Sequence, residues 1–291
     1  MEQLLSDRLK DLWRSVDQNQ LSAEDFGTKQ EHGLDEYRST WKQALLLPGH
    51  EDLQESLLSE LGKYFACDDL GEIRRRCNDA VTATKREWER TVDPKHAESI
   101  EQFYDHTQSY LYDLMWCHSL CDDDSPLACV TALHFAQRHG CRKCLDFGAG
   151  VGSGAILFAF NEIETSLADV NAALLRFSEW RFGIRSLGVR ESGGQFLNLR
   201  ISRLPKGAFD IVTAMDVFEH LVDPVKTVNE LSEALRPGGF LFGRFHAEID
   251  EDRPQHIVQD FGPVFARLSD LGFVQVWQHE WLWGHQVFQK T

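Results

Sequence analysis

The chain has 291 residues, of which 42% are hydrophobic, and its formal net charge is −16 at pH 7. This length fits one large domain or two smaller ones with a substantial core. Because phosphate groups are bound through clustered Lys and Arg, the acidic excess argues against a nucleic acid or an anionic membrane as partner. Seven cysteines, no secretory signal and only short apolar runs predict reduced thiols in a cytoplasmic protein.

The first 96 residues have the periodicity of helices. Apolar residues recur at i, i+3, i+4 and i+7 within 4–16 and 51–65, and a long polar helix is predicted near 70–91. We therefore expect 1–96 to form an all-helical N-terminal domain, which would cover a substrate or provide the surface of a homodimer.

Helical periodicity continues through 97–140, and aromatic residues are frequent in its first half. A single helix would place Phe103, Tyr110 and Leu114 on one face, which is the pattern of a stripe that packs into a core. Tyr104 would then point in another direction.

After residue 141, short apolar strands alternate with helices, which predicts a mostly parallel sheet with helices on both faces. Only 282–284 separate the last two strands, and so short a connection permits only an antiparallel pair. The predicted fold is α/β, with a seven-stranded, mostly parallel sheet and an antiparallel last strand. Strands are predicted at 143–147, 166–168, 196–199, 209–215, 239–245, 273–281 and 285–289, and helices near 153–161, 171–182, 224–235 and 261–271.

The sequence LDFGAGVGSG, at 145–154, places a glycine-rich turn between the first predicted strand and a helix. Such a turn lets the backbone approach a ligand, so a dinucleotide and S-adenosylmethionine both fit it. The dinucleotide pattern GxGxxG is met imperfectly, with Ser153 or Ala155 at its last place. An acid two residues before the first glycine suits an ammonium group rather than a pyrophosphate. The pattern acid-x-G-x-G-x-G is met in full by Asp146, Gly148, Gly150 and Gly152.

Residues 141–291 resemble the class I S-adenosylmethionine-dependent methyltransferases in four motifs that keep the order and spacing of that family. The motifs are LDFGAGVGSG, then SLADVNAALL at the end of the second strand, FDIVTAMDVFEHLVDP around the fourth, and ELSEALRPGGFLFGRF before and within the fifth. The third motif has the form common among enzymes of small molecules. The resemblance implies an S-adenosylmethionine-binding domain at 97–291, with a helical lead-in at 97–140.

The same resemblance implies cofactor contacts. Asp169 would accept hydrogen bonds from the two ribose hydroxyls. Many relatives carry an acid for the adenine amino group at the end of the third strand, where this chain has Arg200, Ile201 and Ser202. Adenine would then be held by backbone groups, by Ser202, or by stacking on Val170. The residues predicted to bind the cofactor are Asp146, Gly148, Gly150, Gly152, Asp169, Val170, Ser202, Met215 and Asp216.

The activity implied is transfer of a methyl group to oxygen, nitrogen or carbon of a small-molecule acceptor. Positioning supplies the larger share of such catalysis, and a general base is optional. The candidate bases follow the fourth and fifth strands, although each could instead only shape a loop: His220, His246 and His256. No metal is predicted, because the spacing of these histidines with acids matches no standard site.

In many relatives, a tyrosine-rich helix before the glycine loop closes over cofactor and substrate. Tyr104, Tyr110 and Trp116 are therefore the candidates for contacts with the substrate, and a core position remains the alternative for each. A second function also stays open. A protein of the same fold could bind the cofactor without transferring a methyl group, either for another reaction or as a binding subunit.

Overall fold

The computed structural model describes residues 11–12, 14–15, 18, 20–120, 124–189, 193–247, 251–258, 260–278 and 284–291. The helix predicted at 4–16 and the connection predicted at 282–284 lie largely outside the described residues. Among the helices that are described, none is both long and apolar enough to cross a membrane.

Seven helices that lie wholly within the described residues precede the sheet. They are α1 (Ala23–Leu45), α2 (Leu53–Phe65), α3 (Leu70–Asn78), α4 (Ala80–Thr91), α5 (Ala97–His106), α6 (Ser109–Leu120) and α7 (Asp124–Arg138). The single polar helix predicted at 70–91 is wrong. The chain turns at Asp79, a residue of low helix propensity, whose φ of −90° and ψ of 0° separate α3 from α4.

A second break divides the helix expected around the aromatic residues. Helix α5 ends at His106 and α6 begins at Ser109. The hydroxyls of Thr107 and Ser109 both donate hydrogen bonds to the carboxylate of Glu87 on α4. Side chains that bond away from their own helix favour such interruptions. The single face predicted for Phe103, Tyr110 and Leu114 is therefore wrong.

The sheet has the predicted seven strands. They are β1 (Lys143–Phe147), β2 (Glu164–Asp169), β3 (Phe196–Asn198), β4 (Phe209–Ala214), β5 (Leu235–Arg244), β6 (Phe273–Gln278) and β7 (His285–Lys290). Their order is β3-β2-β1-β4-β5-β7-β6. Strands β1 to β5 pair in parallel, and β7 runs antiparallel to both β5 and β6. The antiparallel last strand is confirmed.

Strand β5 begins at Leu235, four residues before the predicted start. Phe209 pairs with Leu235, whereas Ile211 pairs with Phe240, so the extra residues of β5 form a bulge opposite β4. The bulge contains the predicted Pro-Gly-Gly turn, in which Gly238 has a φ of +76°. A turn of this kind therefore lies inside the strand and not before it.

Two apolar cores lie on the two faces of the sheet. One contains α8 (Ser153–Phe160) and α9 (Ala172–Ile184), and the other contains α10 (Pro224–Ala234) and α11 (Gly262–Asp270). Helices α1 to α3 contribute to the first core together with α7, α8, α9 and the sheet. The boundary at residue 96 stays a prediction, since the N-terminal helices and the sheet share this core.

A buried cluster of three charged residues joins α2 to α9. Arg181 Nε lies 2.7 Å from Glu60 Oε2, and both side chains are fully buried. Arg185 Nη1 donates to the same oxygen at 3.0 Å. Arg181 also donates from Nη1 to the carbonyl of Val151, in the glycine loop, at 2.6 Å. Burial alone would raise the pKa of Glu60, but Arg181 and Arg185 outweigh it and hold that pKa below its usual range.

We predict that Glu60→Gln lowers the free energy of unfolding by about 3–5 kcal/mol, because two arginines lose their buried counter-charge. Urea denaturation at pH 7 measures the change. The matched control is Glu55→Gln on the same helix, since Glu55 pairs with Arg74 at the exposed surface and should cost at most about 1 kcal/mol. Because the folded-state pKa of Glu60 is lowered, its contribution should disappear as the pH falls through that pKa. Equal effects of the two substitutions would contradict this role.

Candidate functional site

A cavity of about 360 Å³ lies where β1, β2 and β4 end. Helices α5 and α6 cover it, and the glycine loop between β1 and α8 forms its floor. The carboxyl ends of parallel strands are the usual place for a ligand in an open α/β sheet. Seven of the nine residues predicted to bind a cofactor line this cavity: Asp146, Gly148, Gly150, Asp169, Val170, Met215 and Asp216.

The glycine loop leaves no room for side chains. Gly148 has a φ of +69°, and a Cβ there would stand 2.5 Å from Val217 Cγ2. Gly150 has a φ of +52°, and a Cβ there would stand 2.7 Å from Leu114 Cδ1. At both positions the backbone therefore lines the cavity without a side chain. Gly152 does not line the cavity; it precedes α8 and packs against Ser178 of α9.

Two buried carboxylates flank this loop. Asp169 Oδ2 accepts a hydrogen bond from Gly150 N at 2.8 Å, and burial raises the pKa of Asp169 despite its backbone hydrogen bonds. Asp146 Oδ1 accepts one from the hydroxyl of Thr213 at 2.9 Å. Burial likewise raises the pKa of Asp146, to about 6, against the effect of that bond. Both groups can bind a donor or a cation from the cavity.

Asn171 was missed by the sequence analysis. Its Oδ1 accepts hydrogen bonds from the N–H groups of Ala173 and Leu174 at the start of α9. Its Nδ2 donates to the carbonyl of Tyr104 at 2.9 Å, so the end of β2 is tied to the covering helix α5. The N-cap position before α9 was a signal that could have identified the first role.

Arg200, which stands where the resemblance implies an acid for adenine in many relatives, binds to α5. Its Nε lies 2.7 Å from Asp105 Oδ1, and its Nη1 lies 3.0 Å from Glu101 Oε2. Both Arg200 and Glu101 line the cavity. Ser202 does not; its N–H bonds to the carbonyl of Asn198 in the turn after β3.

His220 joins the two tyrosines that the helix break brings together. The hydroxyl of Tyr104 lies 3.0 Å from His220 Nδ1, and that of Tyr110 lies 3.3 Å from Nε2. The carbonyl of Gln255, which can only accept, lies 3.1 Å from Nδ1. The proton is therefore assigned to Nδ1, which leaves the lone pair of Nε2 for the Tyr110 hydroxyl.

All three rings of this cluster are held in their neutral form. Burial lowers the pKa of His220 to about 3, and His256 adds to the effect. Burial raises the pKa of Tyr104 and of Tyr110 well above 10. At neutral pH the cluster is thus an uncharged hydrogen-bonding group on the cavity wall.

The segment 251–258 crosses over His220 and fixes it. Arg253 Nη1 lies 3.2 Å from Asp113 Oδ2 on α6, and Lys85 Nζ on α4 lies 3.0 Å from Asp252 Oδ1. His256 packs behind the cavity wall, with its ring centroid 4.9 Å from that of His220. His256 itself does not line the cavity.

Glu219, His220 and His256 have potential metal-ligating atoms within 4.8 Å of one another. Both nitrogens of His220 are already in hydrogen bonds. Arg244 Nη1 also lies 3.6 Å from Glu219 Oε1, so a cation would have to compete with a guanidinium. The same nitrogen of Arg244 lies 2.6 Å from Asp216 Oδ1 and secures Asp216, whose φ of +51° is unusual for a residue other than glycine.

The two remaining candidates lie away from the cavity lining. Trp116 packs against the core, and the guanidinium of Arg74 lies over its ring at 5.8 Å from the centroid. His246 follows β5 beside the start of β7, where a Cβ on Gly284 would stand 2.8 Å from His246 Cβ. The structure therefore brings Tyr104, Tyr110 and His220 together, but not Trp116 or His246.

Residues 145–241 match a family described as a methyltransferase domain. Curated relatives are named ubiquinone biosynthesis O-methyltransferase. That of Methylococcus capsulatus is 29% identical over 164 residues, which cover 52% of this chain and 62% of the relative. That of Aromatoleum aromaticum is 32% identical over 107 residues, covering 35% and 42%. The chain thus spans less than two thirds of the length of these relatives.

Solved structures of similar shape include the YcgJ protein from Bacillus subtilis. It is 19% identical, with a TM-score of 0.44, and the match covers 52% of this chain and 69% of that one. Another is the 1,6-didemethyltoxoflavin-N1-methyltransferase of Burkholderia thailandensis, 19% identical, with a TM-score of 0.43, covering 56% and 78%. Both scores are below 0.5, so the fold class rests here on strand order and direction.

We predict that Asn171 holds α5 against the end of β2. Asn171→Ser keeps an acceptor for the start of α9 but is too short to reach the carbonyl of Tyr104, whereas Asn171→Ala loses both contacts. Peptides covering 97–108 should exchange amide hydrogen faster in both variants, as measured by mass spectrometry. The free energy of unfolding should be lower in Asn171→Ala than in Asn171→Ser by about 1 kcal/mol. Unchanged exchange at 97–108 in both variants would disprove the link.

Proposed function

We propose that this chain, whose residues 145–241 are a methyltransferase domain of the class I S-adenosylmethionine-dependent type, transfers a methyl group to a small-molecule acceptor. The observation that carries the proposal is one cavity in which the glycine loop and two buried acids adjoin the Tyr104–His220–Tyr110 cluster. A cofactor-binding part and a proton-accepting part thus share one space.

The residues of the cavity fit S-adenosylmethionine. Asp169 offers its carboxylate to the ribose hydroxyls, Asp146 offers one to the ammonium group, and Gly148 and Gly150 leave the loop bare for close approach. When bound, the cofactor supplies an activated methyl group for in-line displacement. Val170 lines the cavity beyond Asp169 and is the proposed contact for adenine. Ser202 is not part of this proposal, because it lies outside the lining.

The acceptor is proposed to lie under α5 and α6, against Tyr104 and Tyr110. Both tyrosines line the cavity together with Met215 and Asp216 from the end of β4. Because two helices cover this space and are tied down by Arg200, Asn171 and Arg253, an acceptor must be small enough to fit beneath them. The helices also exclude water from the reacting atoms.

We propose His220 as the general base, acting through Tyr110. The Tyr110 hydroxyl would take the proton of the acceptor while giving its own to His220 Nε2, which holds a free lone pair in the tautomer assigned above. The product would leave His220 as an imidazolium that bonds to the Gln255 carbonyl; burial and His256 disfavour this charge, and Asp216 offsets part of that cost. His246 and His256 have no part in this path.

A hydroxyl oxygen is the acceptor atom that we favour. The curated relatives are named O-methyltransferases, and a hydroxyl has a proton that must leave as the methyl group arrives, which is the task of the Tyr110–His220 pair. Nitrogen and carbon acceptors are the alternatives that the product analysis below would reveal.

Four further expectations belong to this proposal. The helical N-terminal region, 1–96, would act as a cover or as the surface of a homodimer. Neither a nucleic acid nor a membrane is expected as partner, given the net charge of −16. A cytoplasmic location accords with the free thiols of the described cysteines, such as Cys77 and Cys141.

We predict that the protein binds S-adenosylhomocysteine with micromolar affinity, measured by isothermal calorimetry. Asp169→Ala should abolish binding because the ribose hydroxyls lose their acceptor, and Gly148→Val should abolish it by filling the floor of the cavity. The control Asp270→Ala removes an acid at the end of α11, away from the cavity lining, and should bind normally. Absence of binding to the unmodified protein would refute the proposed function.

We predict that His220→Ala lowers kcat for methyl transfer by about 10²–10³-fold, the range for loss of a general base. Tyr110→Phe should have a similar effect, and the double variant should be little worse than either, because the two act in one path. Incubation with candidate phenols, amines and carbon acids, followed by mass spectrometry for a product heavier by one CH₂ group, provides the assay. Additive losses would contradict the relay, and bound cofactor without any methylated product would favour a protein that does not methylate.

A further inference from the structure

Asp216 follows the end of β4 and lines the cavity between its two parts. On one side its negative charge affects Tyr110 and His220. Burial has the largest effect on the pKa of each, and Asp216 acts in the upward direction. On the other side the same holds for His118 and Cys129, which lie against the start of α8. The carboxylate therefore lies between the glycine loop and the tyrosine–histidine cluster, where an acceptor must meet the cofactor.

The surrounding structure holds this carboxylate in place and leaves it a net charge. The φ of +51° at Asp216 costs about 1 kcal/mol, and such positions are concentrated at ligand sites. Arg244 Nη1 lies 2.6 Å from Asp216 Oδ1 and 3.6 Å from Glu219 Oε1. One guanidinium thus faces two carboxylates, and one negative charge remains. The nearby ion pair of Arg253 and Asp113 is neutral as a whole.

The cavity as a whole also has an excess of negative charge. Among the residues that the structure describes, six carboxylates line it: Glu101, Asp146, Asp169, Asp216, Asp223 and Glu230. Its two cationic side chains are already paired, since Arg200 Nη1 lies 3.0 Å from Glu101 Oε2 and Lys226 Nζ lies 3.9 Å from Glu230 Oε1. S-adenosylmethionine carries a sulfonium, an ammonium and a carboxylate, and so brings only one net positive charge. Negative charge remains when it is bound, and a second cation would reduce that excess.

The other three carboxylates without a cationic partner in this lining have tasks of their own. Asp146 and Asp169 are assigned to the cofactor above. Asp223 caps the start of α10, where it accepts a hydrogen bond from Lys226 N at 2.8 Å. Asp216 is the one that faces the acceptor. Because a carboxylate has about four lone-pair sites, it can bind a ligand in addition to Arg244.

We propose that the acceptor is a hydroxylated amine, and that Asp216 binds its ammonium group while its hydroxyl lies against Tyr110. The inference rests on the proposed function, because it takes the cavity as the place of methyl transfer. An ammonium group has no lone pair, so a paired amine cannot take the methyl group. The methyl carbon instead leaves sulfur and bonds to the hydroxyl oxygen, whose proton passes through Tyr110 to His220. An acceptor with a carboxylate or a phosphate in the place of the amine is repelled.

The test measures how three phenols bind to the full chain saturated with S-adenosylhomocysteine, by ligand-detected NMR titration at pH 7. The phenols are 4-(2-aminoethyl)phenol, 4-propylphenol and 4-hydroxyphenylacetate, whose side chains are similar in length and are positive, neutral and negative. The amine should bind about 10- to 100-fold more tightly than the neutral phenol, the range for a hydrogen bond between charged groups. The acid should bind most weakly.

Two matched variants test the residue. Asp216→Asn removes the charge but keeps a side chain that tolerates the left-handed backbone, and the preference for the amine over the neutral phenol should be lost. Asp223→Asn removes another carboxylate of the lining but keeps the cap of α10, and the preference should persist. Equal loss in both variants would mean that the total charge of the cavity selects the acceptor, which overturns the role of Asp216.

The remaining outcomes separate this inference from the proposed function. Equal affinity for the amine and the neutral phenol, or no binding of any of the three, overturns the inference and leaves the proposed function intact. So does an Asp216→Asn variant that keeps the preference but binds S-adenosylmethionine more weakly relative to S-adenosylhomocysteine, because the carboxylate would then serve the sulfonium. Failure of the unmodified protein to bind S-adenosylhomocysteine overturns both.

Discussion

The buried ion pair between Glu60 and Arg181 is the interaction on which the rest of the site depends. Removing both charges from water carries a large penalty, which is offset only because the guanidinium also bonds to Val151 and Ser153. Arg181 therefore has two roles. It binds α2 through Glu60, and it stabilises the glycine loop through the carbonyl of Val151. The cavity floor is thus stabilised by a carboxylate that comes from nearly a hundred residues earlier in the chain.

The cover of the cavity depends on a second long-range contact of this kind. Glu87 on α4 binds the hydroxyls of Thr107 and Ser109 and so interrupts what would be one helix. The interruption turns Tyr104 and Tyr110 towards the same histidine. Arg200 and Asn171 also bind to α5. With these contacts and the helix break, part of the helical lead-in at 97–140 forms one wall of the site.

These two contacts also mark the limit of what sequence alone could predict. The seven strands, their mostly parallel direction and the antiparallel last strand follow from local patterns and the length of one connection, and all were predicted. The acids and glycines of the loop were identified because their spacing is local. The helix break was not, because Glu87 lies outside the segment that it interrupts. His246 was overrated because its position after β5 resembles that of a site residue.

The shared apolar core has a consequence for how the protein is made. Trp41 and Leu45 of α1 are buried in the same cluster as Phe240, Trp277 and Val287 of the last strands. Chains emerge from the ribosome at about 5–20 residues per second, and domains generally fold as units. Helix α1 packs directly on α7 and α8, so its apolar face stays exposed at least until these two helices have been translated. During that interval α1 is a segment to which a chaperone would bind.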